Sequence, residues 1–209
     1  MNAWEETRQE RLDFADFLAT LDDADWDSMT PAHDWRVRDV VGHVIQGATQ
    51  STMSTVIGLT SYRARYNAYY DAQARKIGAA TPTELIARVR LAAPSQQRLL
   101  FLPGPKAHAM LTETFQHHQS VRHHLGRHRP IPEVRLLVAL DAAKNAGFPI
   151  GVRKRIAGLR LRATDVSWQT GNGPEVRGPG EALFFAMLKD RILIDQLDGE
   201  GLTQLTASF

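Results

Sequence analysis

The sequence predicts a mainly α protein in two parts: a four-helix bundle over residues 1–133, then a small α+β domain over residues 134–209. Three observations predict it. Apolar residues recur at helical spacing as far as Leu125, with short polar or Gly/Pro-rich connections between the runs. From Gly158 the apolar residues alternate instead, which is strand period. The chain has 209 residues, 43% of them hydrophobic, enough to build a core in each part.

The first helix is expected over residues 3–21, with Trp4, Leu12, Ala15, Leu18 and Leu21 near one stripe. Residues 22–31 form a polar connection, and Trp26 and Met29 are expected to tuck back onto the bundle. A second helix starts near Trp35–Val37, carries the apolar face Val37, Val40, Val41, Val44 and Ile45, and runs to about Leu59. It continues, after a break, through the Tyr-rich stretch 62–77. The third has the clearest start: Thr81 as N-cap, Pro82 in the first turn and Glu84 completing a capping box. Its core candidates are Leu85, Ile86, Val89, Leu99 and Leu100, with a kink or break at Pro94 and an end at Pro103-Gly104-Pro105. The fourth spans roughly 107–125 and stops at Gly126.

In the second part, residues 134–146 read as a connecting helix. Leu159, Leu161 and Ala163 then alternate with Arg160, Arg162 and Thr164, and Val166 and Trp168 continue the strand past a bend at Asp165. Residues 170–174 are a turn cluster, Glu175–Arg177 a short strand, and Glu181–Leu188 an apolar helix.

Composition excludes several functions. There is no cysteine, so disulfides, thiolate zinc sites and a cysteine nucleophile are ruled out, and any thiol chemistry must use a thiol brought by a small molecule. No apolar run reaches the roughly 18–20 residues of a membrane span, and the charged start MNAWEETRQERLDF lacks the apolar stretch of a signal peptide, so a cytoplasmic protein is expected. The net charge is only +2 and the basic residues are scattered. The densest run, Arg153, Lys154, Arg155, Arg160 and Arg162, partly alternates with apolar residues like the solvent face of a strand. No nucleic-acid partner is expected, whereas anionic small molecules suit such a surface.

Six of the eight histidines fall between positions 108 and 128. His108, His123 and His128 read as surface residues. Glu113 and His117 stand four apart, on one helical face, where a carboxylate and an imidazole can grip one metal ion. A third ligand must come from another helix, and His43, inside Val40-Val41-Gly42-His43-Val44-Ile45, is the candidate. The residues alone leave two readings of His43: a ligand, or the commoner core histidine bonded to a carbonyl. Gly42 would let another backbone or a ligand approach closely.

Trp35-Arg36-Val37-Arg38-Asp39-Val40-Val41-Gly42-His43-Val44 resembles the W-x-V-x-D-x-x-x-H segment of the DinB-like superfamily. More narrowly, it resembles the mycothiol-dependent maleylpyruvate isomerase family. Glu113-Thr114-Phe115-Gln116-His117 is similar to that family's E-x-x-x-H metal motif, and Val121-Arg122 and Leu125-Gly126 fall where the family has V-R and L-G. Gly158–Asp165, Trp168, Gly171–Val176 and Gly178-Pro179 resemble its "ATD…W…G-x-G-P-E-V-x-G-P" block, the most specific part of a likeness covering nearly the whole chain. Arg191 sits where the family usually has an Arg after the last apolar helix.

The resemblance implies a DinB-like bundle with His43, Glu113 and His117 around a divalent metal, usually zinc, and mycothiol or a similar thiol as cosubstrate. Two His and one Glu leave an open coordination position, as at catalytic zinc. The metal would favour the thiolate of a bound thiol. Its sulfur would add to an activated double bond and leave again in an isomerase, or displace a leaving group in an S-transferase. The expected partners are therefore a small-molecule thiol and a small electrophilic, anionic substrate, with no membrane and a monomer or homodimer as the assembly. Arg153, Arg155 and Arg191 are candidates to hold the substrate anion. Two departures bear on this: Ser120 replaces an Asp that commonly follows the metal His by three, and Arg36 replaces a Ser or Thr before Val37. Ser120 is a candidate for a contact behind the ligands that alters substrate choice or activity. His118 and His124 stand where small residues or Pro are usual, and would add a ligand or line the rim. The alternatives are a metal-dependent hydrolase of the same fold, and a non-catalytic metal-binding or stress-response module.

Overall fold

A computed structural model describes residues 2–31, 34–63, 65–97, 106–147, 150–207 and 209. Its contacts divide the chain into two compact units, one ending at Arg129 and one running from Pro130 to Phe209. The first holds α1 (Ala3–Leu18), α2 (Asp23–Asp27), α3 (Val37–Thr49), α4 (Thr52–Ser61), α5 (Tyr66–Gly78), α6 (Pro82–Ala92) and α7 (Lys106–His124). The second holds α8 (Glu133–Lys144), α9 (Val152–Arg155), β1 (Arg160–Ala163), β2 (Gln169–Thr170), β3 (Glu175–Gly178), α10 (Gly180–Met187), a 3-10 turn (Ile194–Gln196) and α11 (Leu202–Thr206). The fold is mainly α with a small α+β part, as the periodicities predict. Among the described residues no helix is long and apolar enough to cross a membrane.

In the first unit α1, α3, α6 and α7 surround one core and α5 lies along α3. Phe14, Leu18, Trp26, Val37, Val41 and Leu85 are central members of that core. The buried stripe of α1 is Thr7, Glu10, Arg11, Phe14, Ala15, Phe17 and Leu18, rotated from the expected one; Trp4, Leu12 and Leu21 are only half-buried. Its polar members conceal this face from a hydrophobicity pattern. Met29 also departs from expectation, since it is 55% exposed while Trp26 is buried.

The expected break before the Tyr-rich stretch is joined by a second one at Gln50, so the second helix divides into α3, α4 and α5. Gln50 is extended, and Ser51 starts α4 by accepting the Ser54 N–H at 3.1 Å. Arg63, at φ 50°, lies between α4 and α5. On α6 the capping box forms as written: the Thr81 hydroxyl accepts the Glu84 N–H at 3.3 Å and Glu84 accepts the Thr81 N–H at 2.9 Å. The helix ends at Ala92, ahead of Pro94, so Pro94 terminates rather than kinks it. Leu99, Leu100 and Pro103-Gly104-Pro105 lie outside the described residues.

The sheet of the second unit has the order β2-β1-β3, with β1 antiparallel to β2 and parallel to β3. Trp168 does not extend β1: the chain turns back beyond Asp165, and β2 pairs Thr170 with Leu161. Gly173, at φ 129°, lies so close to the Gly158 carbonyl that a Cβ would fall 2.2 Å from its oxygen, which explains glycine in this turn. Leu161, Val176, Leu183, Phe184 and Leu140 form the buried interior. Asp165 accepts the Gly180 N–H at 2.8 Å at the start of α10, and the Trp168 indole donates to Asp141 on α8 at 3.0 Å.

The tightest packing in the first unit is between α3 and α5. A Cβ on Gly42 would sit 2.2 Å from the Ala74 carbonyl oxygen and 2.9 Å from the Gly78 nitrogen. Gly42→Ala should therefore destabilise the protein by about 3 kcal/mol, the backbone clash outweighing the gain of about 1 kcal/mol in helix propensity. Urea unfolding measures this, and a variant as stable as the parent would contradict the close approach.

Candidate metal centre

The apolar stripe of α3 turns Val37, Val40, Val41 and Val44 into the core, and His43 lies at its margin with a side chain 12% exposed. Glu113 and His117 lie one turn apart on α7, which crosses α3. His43 Nε2 is 3.4 Å from Glu113 Oε1, and His117 Nε2 is 3.7 Å from the same oxygen. One ligand atom from each residue falls within 4.8 Å of the others. Ligands held at about 2.0–2.1 Å from a tetrahedral zinc stand about 3.3–3.4 Å apart. These separations are long for hydrogen bonds and close to those of ligands sharing an ion.

Glu113 supplies the strongest electrostatic signal. Burial pushes its carboxyl up to about 8; Arg11 and the Thr114 hydroxyl favour the ionised form without outweighing burial. Neither oxygen receives a well-aligned hydrogen bond from the described residues. A buried carboxylate with no well-aligned donor among the described residues and two imidazoles at ligand distance fits a divalent cation, and the His2Glu donor set suits zinc.

His43 and His117 border a pocket of about 630 Å³. Trp35, Tyr66, Tyr70, Asp71 and Arg75 form much of its wall. The Trp35 ring lies 5.1 Å from that of His43, and its indole N–H donates to Asp71 at 2.6 Å. Burial raises the Tyr66 phenol well above its ordinary value, so it stays protonated. Apart from Trp35, the only sign of this wall in the sequence is the Tyr-rich helix.

His118 does not join the triad. It is fully buried on the side of α7 facing α1, where Nδ1 lies 2.7 Å from Glu10 Oε1 and Nε2 accepts from Arg122 Nε at 2.7 Å. Burial first of all pushes it down to about 4, against the pull of Glu10, so it is a neutral imidazole with both nitrogens engaged. Arg129 bonds the same Glu10 oxygen, and Phe14 stacks on the ring at 4.7 Å between centroids. This network escaped sequence reading because its members are scattered over α1, α7 and the segment beyond. His124 contacts the Ser28 hydroxyl through Nε2. The rings of His123 and His128 meet at 4.8 Å, and His108 is half-buried.

Ser120 is half-buried, nearly one turn beyond His117. Arg36 starts α3 with no side-chain acceptor but grips the buried Asp39 carboxylate at 3.1 and 3.2 Å. The other candidates lie in the second unit. Arg153 is exposed on α9, Arg155 donates to the carbonyls of Met187 and Ile150, and Arg191 lies 5.4 Å over the Phe209 ring.

Residues 7–130 match the family described as the mycothiol maleylpyruvate isomerase N-terminal domain. No curated protein matches the chain. Among solved structures it is similar to a crystal structure of the mycothiol-dependent maleylpyruvate isomerase, at 14% identity and a TM-score of 0.58, and to a point mutant of that enzyme, at 13% and 0.58. Each alignment covers 95% of this chain and 91% of the other. At such identities the likeness is one of fold.

The Glu113 shift has a direct consequence for the metal-free protein. Its carboxyl is raised in the folded state from 4.5 to about 8, so between those values the folded state binds more protons than the unfolded one. Stability is then lost as pH rises through that window. Melting curves of metal-free protein should fall from pH 5 to pH 8, and Glu113→Gln should flatten that fall. An unchanged pH dependence in the variant would show that Glu113 is not its source.

Proposed function

The chain belongs to the mycothiol maleylpyruvate isomerase family through its N-terminal domain, and on that premise we propose that it is an enzyme using mycothiol, or a similar small thiol, to isomerise or transfer sulfur to a small anionic electrophile. The divalent ion, zinc on the family resemblance, would be held by His43, Glu113 and His117. The protein would work in the cytoplasm on small molecules only.

The observation that carries this reading is the buried Glu113 carboxylate between the imidazoles of His43 and His117, which border an open pocket. A metal bound there supplies one thing, the acidification and positioning of a thiol sulfur. The chain itself has no cysteine, so the sulfur must be the cosubstrate's. His43 and His117 would act as neutral ligands and Glu113 as an anion, leaving one net positive charge to attract a thiolate. Trp35 and Tyr70, both buried, limit water around the histidines. Of the three arginines proposed for the substrate anion, Arg155 is already engaged by backbone carbonyls, so Arg153 and Arg191 are the better candidates.

The test is turnover of maleylpyruvate with and without mycothiol. Mycothiol-dependent turnover is expected, and His117→Ala should lose metal and turnover together because two remaining ligands hold an ion poorly. Equal rates without thiol would instead indicate a hydrolase. No turnover in either condition, with metal bound, would indicate a binding module. Ser120→Asp should keep the metal and change the rate or the preferred substrate.

A further inference from the structure

Resting on the reading of the triad as a metal site, we propose that Asp71 and Arg75 are positioning residues for the ligand His43, acting through the indole of Trp35. Neither belongs to the donor set. Their effect is on the direction in which the His43 ring points.

The last torsion of a histidine side chain is soft, broad and roughly two-fold. The close approach of Gly42 to α5 fixes the α3 backbone beside His43, but it does not decide where Nε2 points. The ring's neighbours do. Trp35 lies 5.1 Å from it with 41° between the planes, His117 meets it edge-on at 4.9 Å and Tyr70 edge-on at 6.0 Å. His117 is itself a ligand of the triad, so Trp35 is the nearer of the two rings that confine His43 without binding the ion.

Trp35 is held at both ends. Its carbonyl accepts the Thr30 N–H at 2.7 Å and the Thr30 hydroxyl at 2.9 Å. Its indole N–H donates to Asp71 Oδ1 at 2.6 Å, and the same oxygen accepts Arg75 Nε at 3.1 Å, one turn further along α5. Arg75 then returns to the start of α3. Its Nη2 donates to the Asp34 carbonyl at 3.1 Å, and its Nη1 lies 3.9 Å from the buried Asp39 carboxylate. The circuit leaves the α3 side at Trp35, crosses to α5 and comes back on either side of Trp35.

Stability alone does not account for this circuit. The side chains of Arg75 and Asp71 are 43% and 42% exposed, and so exposed an ion pair contributes little to folding. A buried indole N–H needs only one acceptor. Here the acceptor is itself fixed by a guanidinium anchored through all three of its nitrogens, which sets a direction as well as a bond. With Trp35 so placed, His43 keeps Nε2 3.4 Å from Glu113 Oε1. A ring free to turn would hold that orientation for only part of the time, and the apparent metal affinity would fall by the same fraction.

Zinc titration against a competing chelator tests this, together with the absorption spectrum of the cobalt-loaded protein, which reports ligand geometry. Asp71→Ala changes a half-exposed side chain, so the metal-free variant should melt close to the parent. Its zinc affinity should nevertheless fall roughly tenfold, and its cobalt bands should move. Asp71→Asn keeps an oxygen for the indole and for Arg75 and should restore most of the loss. Trp35→Phe, which keeps a ring and removes the N–H, should weaken zinc as Asp71→Ala does. Because the two act in series, the double variant should be no weaker than either single one. Equal losses in Asp71→Asn and Asp71→Ala would assign the effect to the carboxylate's charge, and additive losses would separate Asp71 from Trp35; either overturns the proposal. Parent-like affinity in Asp71→Ala, with zinc lost in His117→Ala, would overturn it and leave the triad standing. Zinc held equally by the parent and His117→Ala would overturn the triad and the proposal together.

Discussion

Glu113 places an ionisable group in the interior of a helical bundle, with neither oxygen served by a well-aligned donor. Few arrangements are less tolerable without compensation, since burial alone pushes the carboxyl up to about 8. Arg11, whose charge favours the ionised form, donates through Nη1 to the carbonyls of Ala92, Ala93 and Ser95 at the end of α6 and does not outweigh burial. What stands within reach of Glu113 is a pair of imidazoles, one from its own helix and one from α3. The packing of α3 follows the same requirement: Gly42, next to His43, lets α3 press against α5 backbone to backbone. The helix that carries one ligand is thereby fixed against the helix that carries much of the pocket wall.

Two adjacent histidines on α7 show how helical geometry divides the work. His117 and His118 are about 100° apart around the axis. One turns to Glu113 and His43 beside the pocket; the other turns to α1, where Glu10 and Arg122 occupy both of its nitrogens. His118 is thus unavailable to an ion and acts instead as a neutral link between two helices. A histidine-rich helix contains both a ligand face and a structural face, and composition cannot tell them apart.

Much of the fold was legible because it rests on local signals. The Thr81-Pro82-Thr83-Glu84 start, the strand alternation after Gly158 and the glycine-rich turn each express backbone requirements that nearby residues satisfy. What failed was what local hydrophobicity does not encode. The buried face of α1 includes Thr7, Glu10 and Arg11, whose burial is balanced by partners more than eighty residues away. The break at Gln50-Ser51 was missed because a serine cap inside an apolar run is a weak signal. At the site, the nearness of Glu113 and His117 is written in their spacing. That of His43 is not: it depends on the crossing of α3 and α7 and was legible only through the resemblance of its motif. The pocket wall on α5 was invisible, because Asn67, Asp71 and Arg75 take meaning only from what packs opposite them.

The account turns on one ion in one place. Anomalous diffraction at the zinc edge, on crystals of the protein purified with zinc, locates it directly. The account predicts a single strong peak about 2.0–2.2 Å from a ring nitrogen of His43, a ring nitrogen of His117 and a Glu113 oxygen. Full zinc content with the peak elsewhere, or no peak with the triad ordered as described, would contradict it.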